Sequence, residues 1–477
     1  MNMNVKDNDI IIKKGRHYHF IGIGGIGMGA VAELLLARGA RISGSDIVEN
    51  KVTARLREKG AHIFKGHHAS NIFGADMVVF STAVTEANPE LAAARRENIP
   101  VFRRAQMLAA LMQGYEGITV AGAHGKTTTA AMIERVLSCA GLSPTSAVGG
   151  VVNGASSNAF QGNGRHFVAE LDESDGSFLY FSPKFSVITN IDYEHIDYYK
   201  SWENILSSYR KFIAKTKDSG LILAYASDKR LVSLLEDSGR DFRTYGIDYD
   251  ADFQARDVVF NDFSSEFDCF FRDRHLGRIR LNVPGVHNVI NAMAAVGMGI
   301  CLSIGFEPIA EALEAYQGVG RRFQVLLDQA GIMVIDDYAH HPTEINTTIQ
   351  TAMRLNRGRL IAVFEPHRYS RLHFLMDEFA RSLGLSDYPI VTDVYAASEP
   401  SIEGVTAKAL NERIRFLTGR NSCYIAKETI VDVLSEIVRE GDVVLAMGAG
   451  DISRIAHELA GRLRHASCSP LIDIISG

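Results

Sequence analysis

The sequence predicts an α/β protein of three domains in series, each built on a mostly parallel sheet. Three observations carry that prediction. The chain has 477 residues, enough for about three domains at roughly 150 residues each. Strand-like and helix-like segments alternate along most of it, the pattern of doubly wound sheets. The alternation restarts twice, which places the domains at residues 1–115, 116–319 and 320–477.

The first block opens with a strand in "HYHFIGIG" and a helix in "GMGAVAELLLARG", apolar at helical spacing and stopped at Gly39. "RISGSD" is a second strand, "VTARLREKG" a helix and "ADMVVFST" a third strand. "NPELAAARRENIP" is a helix with proline near its start and proline as its stop. The second block begins with a strand over Ile118–Ala121, a glycine loop and a long helix. "HFVAELDES" and "FSVITNID" are later strands. The charged, β-rich stretch from 240 to 283 reads as an antiparallel insertion, and "PGVHNVINAMAAVGMGICLSIG" continues as a helix. In the third block the strands "GIMVIDDYA", "RLIAVFEP", "YPIVTDVY" and "DVVLAMGAG" alternate with helices such as "HPTEINTTIQTAMRLN".

A formal charge of −6 argues against a nucleic-acid or membrane-surface partner. The five cysteines, Cys139, Cys269, Cys301, Cys423 and Cys468, have no CxxC spacing, so neither a zinc site nor a disulfide framework is expected. Free thiols fit a reducing cytosol. The opening "MNMNVKDNDIIIKKGR" lacks the apolar run of a signal peptide. The uncharged stretch Phe20–Ala32 is too short and too glycine-rich to span a bilayer. A cytoplasmic protein without membrane insertion is the expectation.

Two glycine loops carry the chemistry. In "GIGGIG", Gly22, Gly24 and Gly27 form G-x-G-x-x-G between a strand and a helix, with Gly25 and Ile26 inside it. The first glycine permits the tight turn, the second lets a pyrophosphate approach the backbone, and the third lets helix and strand pack closely. The helix N-terminus adds N–H donors and positive dipole charge. Asp46 ends the next strand, where a carboxylate can accept from a sugar or base. A dinucleotide such as NAD or a nucleoside diphosphate sugar satisfies this physics equally.

The second loop is Gly122-Ala123-His124-Gly125-Lys126-Thr127-Thr128. It is shorter than the common nucleotide loop, whose first glycine would fall at Val120. Backbone N–H groups can wrap phosphates, Lys126 can reach the β- and γ-phosphates, and Thr127 can offer its hydroxyl to magnesium. Two later strand ends hold candidate metal ligands: Glu170, Asp172, Glu173 and Asp175 in "ELDESD", and Asn190, Asp192, Glu194, His195 and Asp197 in "NIDYEHID". Magnesium takes a few carboxylate oxygens together with water and phosphate oxygens. Most of these acids are expected to be ordinary loop charges.

With these residues in view the chain resembles the Mur ligases, ATP-dependent amide-bond-forming enzymes of bacterial cell-wall synthesis. The matching segments run almost end to end. The most specific are "GAHGKTTT", "ELDESDGSF", "TNIDYEHIDYY", "PGVHNVINAMAA", "GVGRRFQ", "DDYAHHPTEI" and "FEPHRYSR". The resemblance implies an N-terminal Rossmann-like domain for a UDP-sugar, a central P-loop ATPase-like domain and a C-terminal Rossmann-like α/β domain for the amino acid. It implies that ATP phosphorylates the lactyl carboxylate of UDP-N-acetylmuramate and that L-alanine displaces the phosphate. The rival within the family attaches a murein tripeptide to the same UDP-sugar.

The resemblance also implies roles. Gly22, Gly24, Gly25, Ile26, Gly27 and Asp46 would hold the UDP-sugar. Residues Gly122 to Thr128 would hold ATP, with His287, Asn288 and Asn291 on adenine and ribose, Arg322 on the phosphates and Asp337 on the ribose. Thr127, Glu173 and His195 would bind Mg2+ or Mn2+. Tyr338, His340, His367, Arg368 and Arg371 would surround the amino acid, and Lys126, Glu173, His195 and His340 would form the catalytic group. Arg321 reads as a surface charge. Two positions depart from the family pattern. Ala123 stands where threonine or serine is usual, which removes a hydroxyl but no backbone donor. Ser398 stands where glycine is usual, which is expected to alter a local turn. A carbamylated lysine, found in some relatives, has no convincing counterpart; Lys211 lies in the region but does not align.

Overall fold

A computed structural model describes residues 10–247 and 250–468, apart from the side chains of residues 196–197 and 466–468. Met1 to Asp9 and the side chains of Asp197 and Cys468 therefore lie outside the described residues.

Three sheets form, one in each predicted block. The first has five parallel strands in the order His62–Lys65, Arg41–Asp46, His17–Ile21, Met77–Phe80, Val101–Arg103. The chain order reverses beside His17–Ile21, and such a switch point opens a crevice at the carboxyl ends of the strands. The Gly22 loop starts there. The strands "HIFK" and "VFR" were not expected, because neither carries an apolar run. One face of this sheet is polar. His19 is fully buried, with Nδ1 2.8 Å from Ser43 Oγ and Nε2 3.3 Å from Glu90. Ser45 Oγ donates to the same Glu90 carboxylate at 2.5 Å, which anchors the strand end that carries Asp46.

The second sheet has ten strands. At its centre Glu116–Ala121 lies parallel between Phe185–Ile188 and His166–Glu170. Ile118, Val120 and Ala121 are fully buried, as a strand covered on both faces requires. The flanking strands bring Glu170 and Asn190 to the same carboxyl edge as the second glycine loop.

The stretch from 240 to 283 is not a separate antiparallel insertion. Phe242–Gly246 continues the parallel sheet against Leu221–Tyr225, and Phe253–Phe260 pairs parallel with it. Ser265–Phe271 and Arg274–Leu281 then follow through connections too short for a parallel crossover, so these last strands form an antiparallel meander on the sheet edge. Alternating burial in "SEFDCFF" fits one packed and one solvated face. That alternation identifies a strand but not the sheet it joins.

The third sheet has the order Gln324–Gln329, Ile332–Asp337, Val443–Met447, Leu360–Phe364, Tyr388–Val391, Cys423–Tyr424. Its first pair is antiparallel and the rest are parallel. Apolar cores cover both faces, one around Phe364 and Phe379, the other around Val444 and Ile455.

The chain divides into two compact units. One holds the described residues up to Val259 with Glu266–Asn282 and Asn288–Gln317, and so contains the first sheet and most of the second. The other holds Phe260–Ser265, Val283–His287 and the described residues from Gly318 on.

Candidate active site

The second glycine loop is shaped by two left-handed glycines. Gly122 has φ +127°, and a Cβ there would lie 2.2 Å from Thr189 Oγ1. Gly125 has φ +82°, caps the helix Lys126–Cys139, and its absent Cβ would meet Asn291 Oδ1 at 2.6 Å. A side chain at either position would be strained and crowded at once. Asn190 braces the loop from the next strand end: its carbonyl accepts from Ala123 N at 3.1 Å and its Oδ1 from His124 N at 3.0 Å. These two loop N–H groups are therefore engaged within the protein. The N–H groups of Lys126, Thr127 and Thr128 lie in the first helical turn, which has no intrahelical acceptors and so presents donors to an anion.

Lys126 Nζ donates to Glu173 Oε1 at 2.9 Å and to the carbonyls of Gly122 and Ala123 at 2.6 and 3.0 Å. Burial works against its charge. Glu173, Glu170 and Glu194 outweigh burial and hold the ammonium protonated, well above the usual lysine range. Thr127 Oγ1 donates to Glu170 Oε1 at 2.8 Å, which turns the oxygen lone pairs of the hydroxyl away from Glu170.

The candidate metal ligands separate cleanly. Asp172 and Asp175 accept from Ser174 N and Ser177 N, each at 3.0 Å, and so cap local turns. Asp192 Oδ2 lies 2.8 Å from His124 Nε2. Glu173, Glu194 and His195 stand together, with ligand atoms within 4.8 Å of one another. Glu173 is buried, and its Oε2 has no hydrogen-bond partner. Tyr199 fixes the Glu173 backbone by donating to its carbonyl. His195 holds φ +56°, sparsely populated for a non-glycine residue. An orphaned carboxylate oxygen beside a second carboxylate and an imidazole fits magnesium or manganese.

Asn288 and Asn291 are both buried on the helix Val286–Cys301. Asn291 Oδ1 accepts from Thr129 Oγ1 at 3.1 Å, so this side chain braces the loop helix. His287 falls in the other compact unit.

In the first glycine loop, Gly22 has φ +78°. Gly24 N donates to Asp46 Oδ2 at 2.8 Å, and Asp46 Oδ1 accepts from Val48 N at 3.1 Å. Asp46 thus holds the loop's own backbone. Two residues that the sequence reading passed over complete this site. Asn50 Nδ2 donates to Gly24 O at 3.0 Å, and a Cβ on Gly27 would lie 3.0 Å from an Arg104 guanidinium nitrogen. Asn50 was legible as an N-cap ahead of "KVTARLRE"; nothing local in the sequence marks Arg104.

The C-terminal unit gathers its candidates at the carboxyl edge of its sheet. Asp337 is buried and accepts from Phe323 N at 2.6 Å and Ala339 N at 2.7 Å. Burial pushes its carboxyl up to about 6 against the pull of Arg322 and these two N–H groups. Arg321 is not a loose surface charge: its guanidinium lies 4.9 Å from the Tyr338 ring centre and donates to Gly448 O at 2.7 Å. Arg322 sits 5.2 Å from the same ring centre. His340 Nδ1 faces Tyr338 O at 2.9 Å and Glu344 Oε2 at 3.2 Å. Both are acceptors, so Nδ1 carries a proton.

His367 lies 5.8 Å from His340, ring to ring, and stacks on Tyr395 at 5.5 Å and 9°. Arg371 Nη1 is 3.1 Å from His367 Nδ1; a guanidinium only donates, so this nitrogen accepts. Burial, then the Arg371 charge, hold His367 down to about 3, and the ring is neutral. Arg368, with φ +69°, lies 3.6 Å from Glu399. Behind Tyr395 stands an ion pair, buried Glu365 and half-buried Lys427, 2.6 Å apart, with Lys427 Nζ 5.4 Å from the Tyr395 ring centre. Ser398 adopts φ +68°, in the left-handed region that favours glycine.

These arrangements define an α/β protein with two glycine loops, each leading from a strand into a helix. Residues 17–116 match the Mur ligase family catalytic domain, 120–299 the Mur ligase middle domain, and 321–450 the Mur ligase glutamate ligase domain. The chain is similar to the UDP-N-acetylmuramate–L-alanine ligase of Pelotomaculum thermopropionicum, 45% identical over 94% of this chain and 98% of that one. It is 46% identical to the same ligase of Solibacter usitatus, over 94% and 96%. Among solved structures it is similar to the UDP-N-acetylmuramate-alanine ligase of Thermotoga maritima, with TM-score 0.81 and 32% identity over 94% of this chain and 99% of that one. The murein peptide ligase of Psychrobacter arcticus gives TM-score 0.70 and 25% identity, over 94% and 99%. The chain belongs to the Mur ligase family.

Proposed function

We propose that the protein joins L-alanine to the lactyl carboxylate of UDP-N-acetylmuramate, with ATP converted to ADP and phosphate, as a step of peptidoglycan precursor synthesis. The observation that carries this reading is the presence of two differently built glycine loops, each at a strand carboxyl end of one compact unit. A ligase with two nucleotide substrates needs both. Likeness to the L-alanine ligases exceeds likeness to the murein peptide ligase, which favours the single amino acid over the tripeptide.

The chemistry follows from leaving groups. Oxide leaves a carboxylate poorly and phosphate leaves readily. The lactyl carboxylate oxygen attacks the γ-phosphorus and releases ADP. The amine then attacks the acyl carbon, and the tetrahedral intermediate expels phosphate as the amine loses a proton. Charge grows on phosphoryl oxygens, so positioning and cations do most of the work.

In this reading Lys126 meets the γ-phosphate, and residues Gly122 to Thr128 cradle the triphosphate. Mg2+ or Mn2+ held by Thr127, Glu173 and His195 would supply further positive charge there. Gly22, Gly24, Gly25, Ile26 and Gly27 take the UDP diphosphate, and Asp46 sets their backbone. Asn288 and Asn291 serve the ATP site, and His287, Arg322 and Asp337 of the other unit keep the nucleotide roles that the resemblance implies. Arg368 and Arg371 grip the amino-acid carboxylate beside Tyr338 and His367, since guanidinium and carboxylate pair in two bonds. His340, beside Tyr338 and His367, belongs to the same group.

The domains are assigned to residues 1–115, 116–319 and 320–477. No helix among the described residues is long and apolar enough to cross a membrane, and work on a UDP-sugar precursor fits the cytoplasm. Incubation with ATP, magnesium and UDP-N-acetylmuramate plus either L-alanine or a murein tripeptide, followed by product mass, separates the two family activities. Mass gain only with the tripeptide would reassign the substrate.

A further inference from the structure

We propose that residues 148–161 form a strap that couples the two glycine loops, with Glu170 and Asn158 as its positioning residues. This rests on the reading that both loops hold nucleotide substrates.

One end of the strap is tied to the ATP loop. Glu170 uses both carboxylate oxygens: Oε1 accepts from Thr127 Oγ1 at 2.8 Å, and Oε2 accepts from Gly149 N at 2.5 Å. A Cβ on Gly149 would lie 2.3 Å from that second oxygen, so this close approach depends on glycine. The ATP loop and the first residues of the strap therefore share one carboxylate.

The other end grips the helix Ile26–Ala37 that follows the UDP-sugar loop. Asn158 is buried, and its Nδ2 donates to Val148 O at 2.7 Å and to Ile26 O at 3.2 Å. One amide thus closes the strap on itself and ties it to the first turn of the helix. Its Oδ1 is buried without a partner, a cost the protein bears for these two bonds. Ser157 Oγ donates to Glu33 Oε2 at 2.9 Å, Arg55 Nη1 to Ser156 O at 3.0 Å, and Arg38 Nε to Gln161 Oε1 at 3.1 Å. Glu33 is itself buried on that helix and also holds Arg55 at 2.6 Å.

These bonds form a continuous path from Thr127 through Glu170, Gly149, Val148 and Asn158 to Ile26. A nucleotide that fixes Thr127 also fixes Glu170, and through it the helix N-terminus that would face the UDP diphosphate. Each substrate then stiffens the site of the other, and such coupling is reciprocal.

The test is calorimetric titration of UDP-N-acetylmuramate into the full chain, with and without a non-hydrolysable ATP analogue and magnesium. Wild type is expected to bind the UDP-sugar at least about fivefold more tightly with the analogue present. In Asn158→Ala and in Glu170→Gln the ratio is expected to fall to within about twofold of one. A glutamine at position 170 can accept from only one of the two donors with its single carbonyl oxygen. Where Asn158→Ala does not fold, Glu170→Gln decides alone. A wild-type ratio of one, or variants that keep the wild-type ratio, would overturn the strap while leaving the ligase reading intact. No binding of the UDP-sugar by wild type would overturn both.

Discussion

The Lys126 ammonium lies 2.9 Å from the Glu173 carboxylate and also bonds back to its own loop's carbonyls. A half-buried cation is thus held in place at the loop that would receive a triphosphate. Lys126→Ala is expected to lower kcat by at least about 10²-fold, the scale for loss of one preorganised charge on developing oxyanions. Binding of UDP-N-acetylmuramate, measured by calorimetry, should stay near wild type, because the Lys126 hydrogen bonds go to its own loop and Glu173. Normal turnover in this variant would remove the ATP-loop assignment.

His195 and Glu194 stand beside the unpartnered Glu173 oxygen. Chelation should stop turnover, and magnesium or manganese should restore it. In His195→Ala the metal concentration for half-maximal rate should rise about tenfold or more, read from a metal titration of the rate. An unchanged titration curve would place the metal elsewhere.

His287 carries the pH dependence most open to test. Burial, then the Arg322 charge, lower it to about 4, and its Nδ1 is enclosed without a partner. Its folded value lies below the unfolded value of about 6.5, so its contribution to stability is present above pH 6.5. That contribution is lost as pH falls toward 4. Between pH 7 and pH 5 it should cost about 1–2 kcal/mol, since part of the residue still reaches solvent. His287→Gln cannot titrate and should shrink the pH 7 to pH 5 difference in urea midpoint; an equal difference in both proteins would contradict the assignment.

The stack of His367 on Tyr395 is backed by Lys427, which Glu365 holds at 2.6 Å. Lys427→Met leaves the Glu365 carboxylate buried and unpaired, a costly state. The KM for L-alanine should rise about tenfold, with the KM for ATP within about twofold of wild type, in steady-state assays. Lys427→Arg should recover most of the loss. Equal rises in both KM values would indicate general damage.

The legible part of this protein was what repeats or punctuates. The apolar strand Glu116–Ala121, the glycines of both loops and the helix after Pro342 were readable because period and punctuation are local signals. The short strands His62–Lys65 and Val101–Arg103 were not, since sheet neighbours stabilise them and their own residues do not. Arg321 looked like a surface charge because its partners, Asp336 and the Gly448 carbonyl, are set by the sheet and not by spacing. Asp46 was read as a ligand contact from its place at the strand end; that its oxygens also accept from backbone, at Gly24 and Val48, was not legible there. The strap from 148 to 161 carried no motif, and its importance appears only once Glu170 and Ile26 are seen at its two ends.

The central claim is tested most directly by phosphate release from ATP with magnesium, with each substrate omitted in turn. The account predicts rapid release only when UDP-N-acetylmuramate and L-alanine are both present, with one amide formed per phosphate. Release that ignores either substrate, or stoichiometric release without the amide, would contradict it.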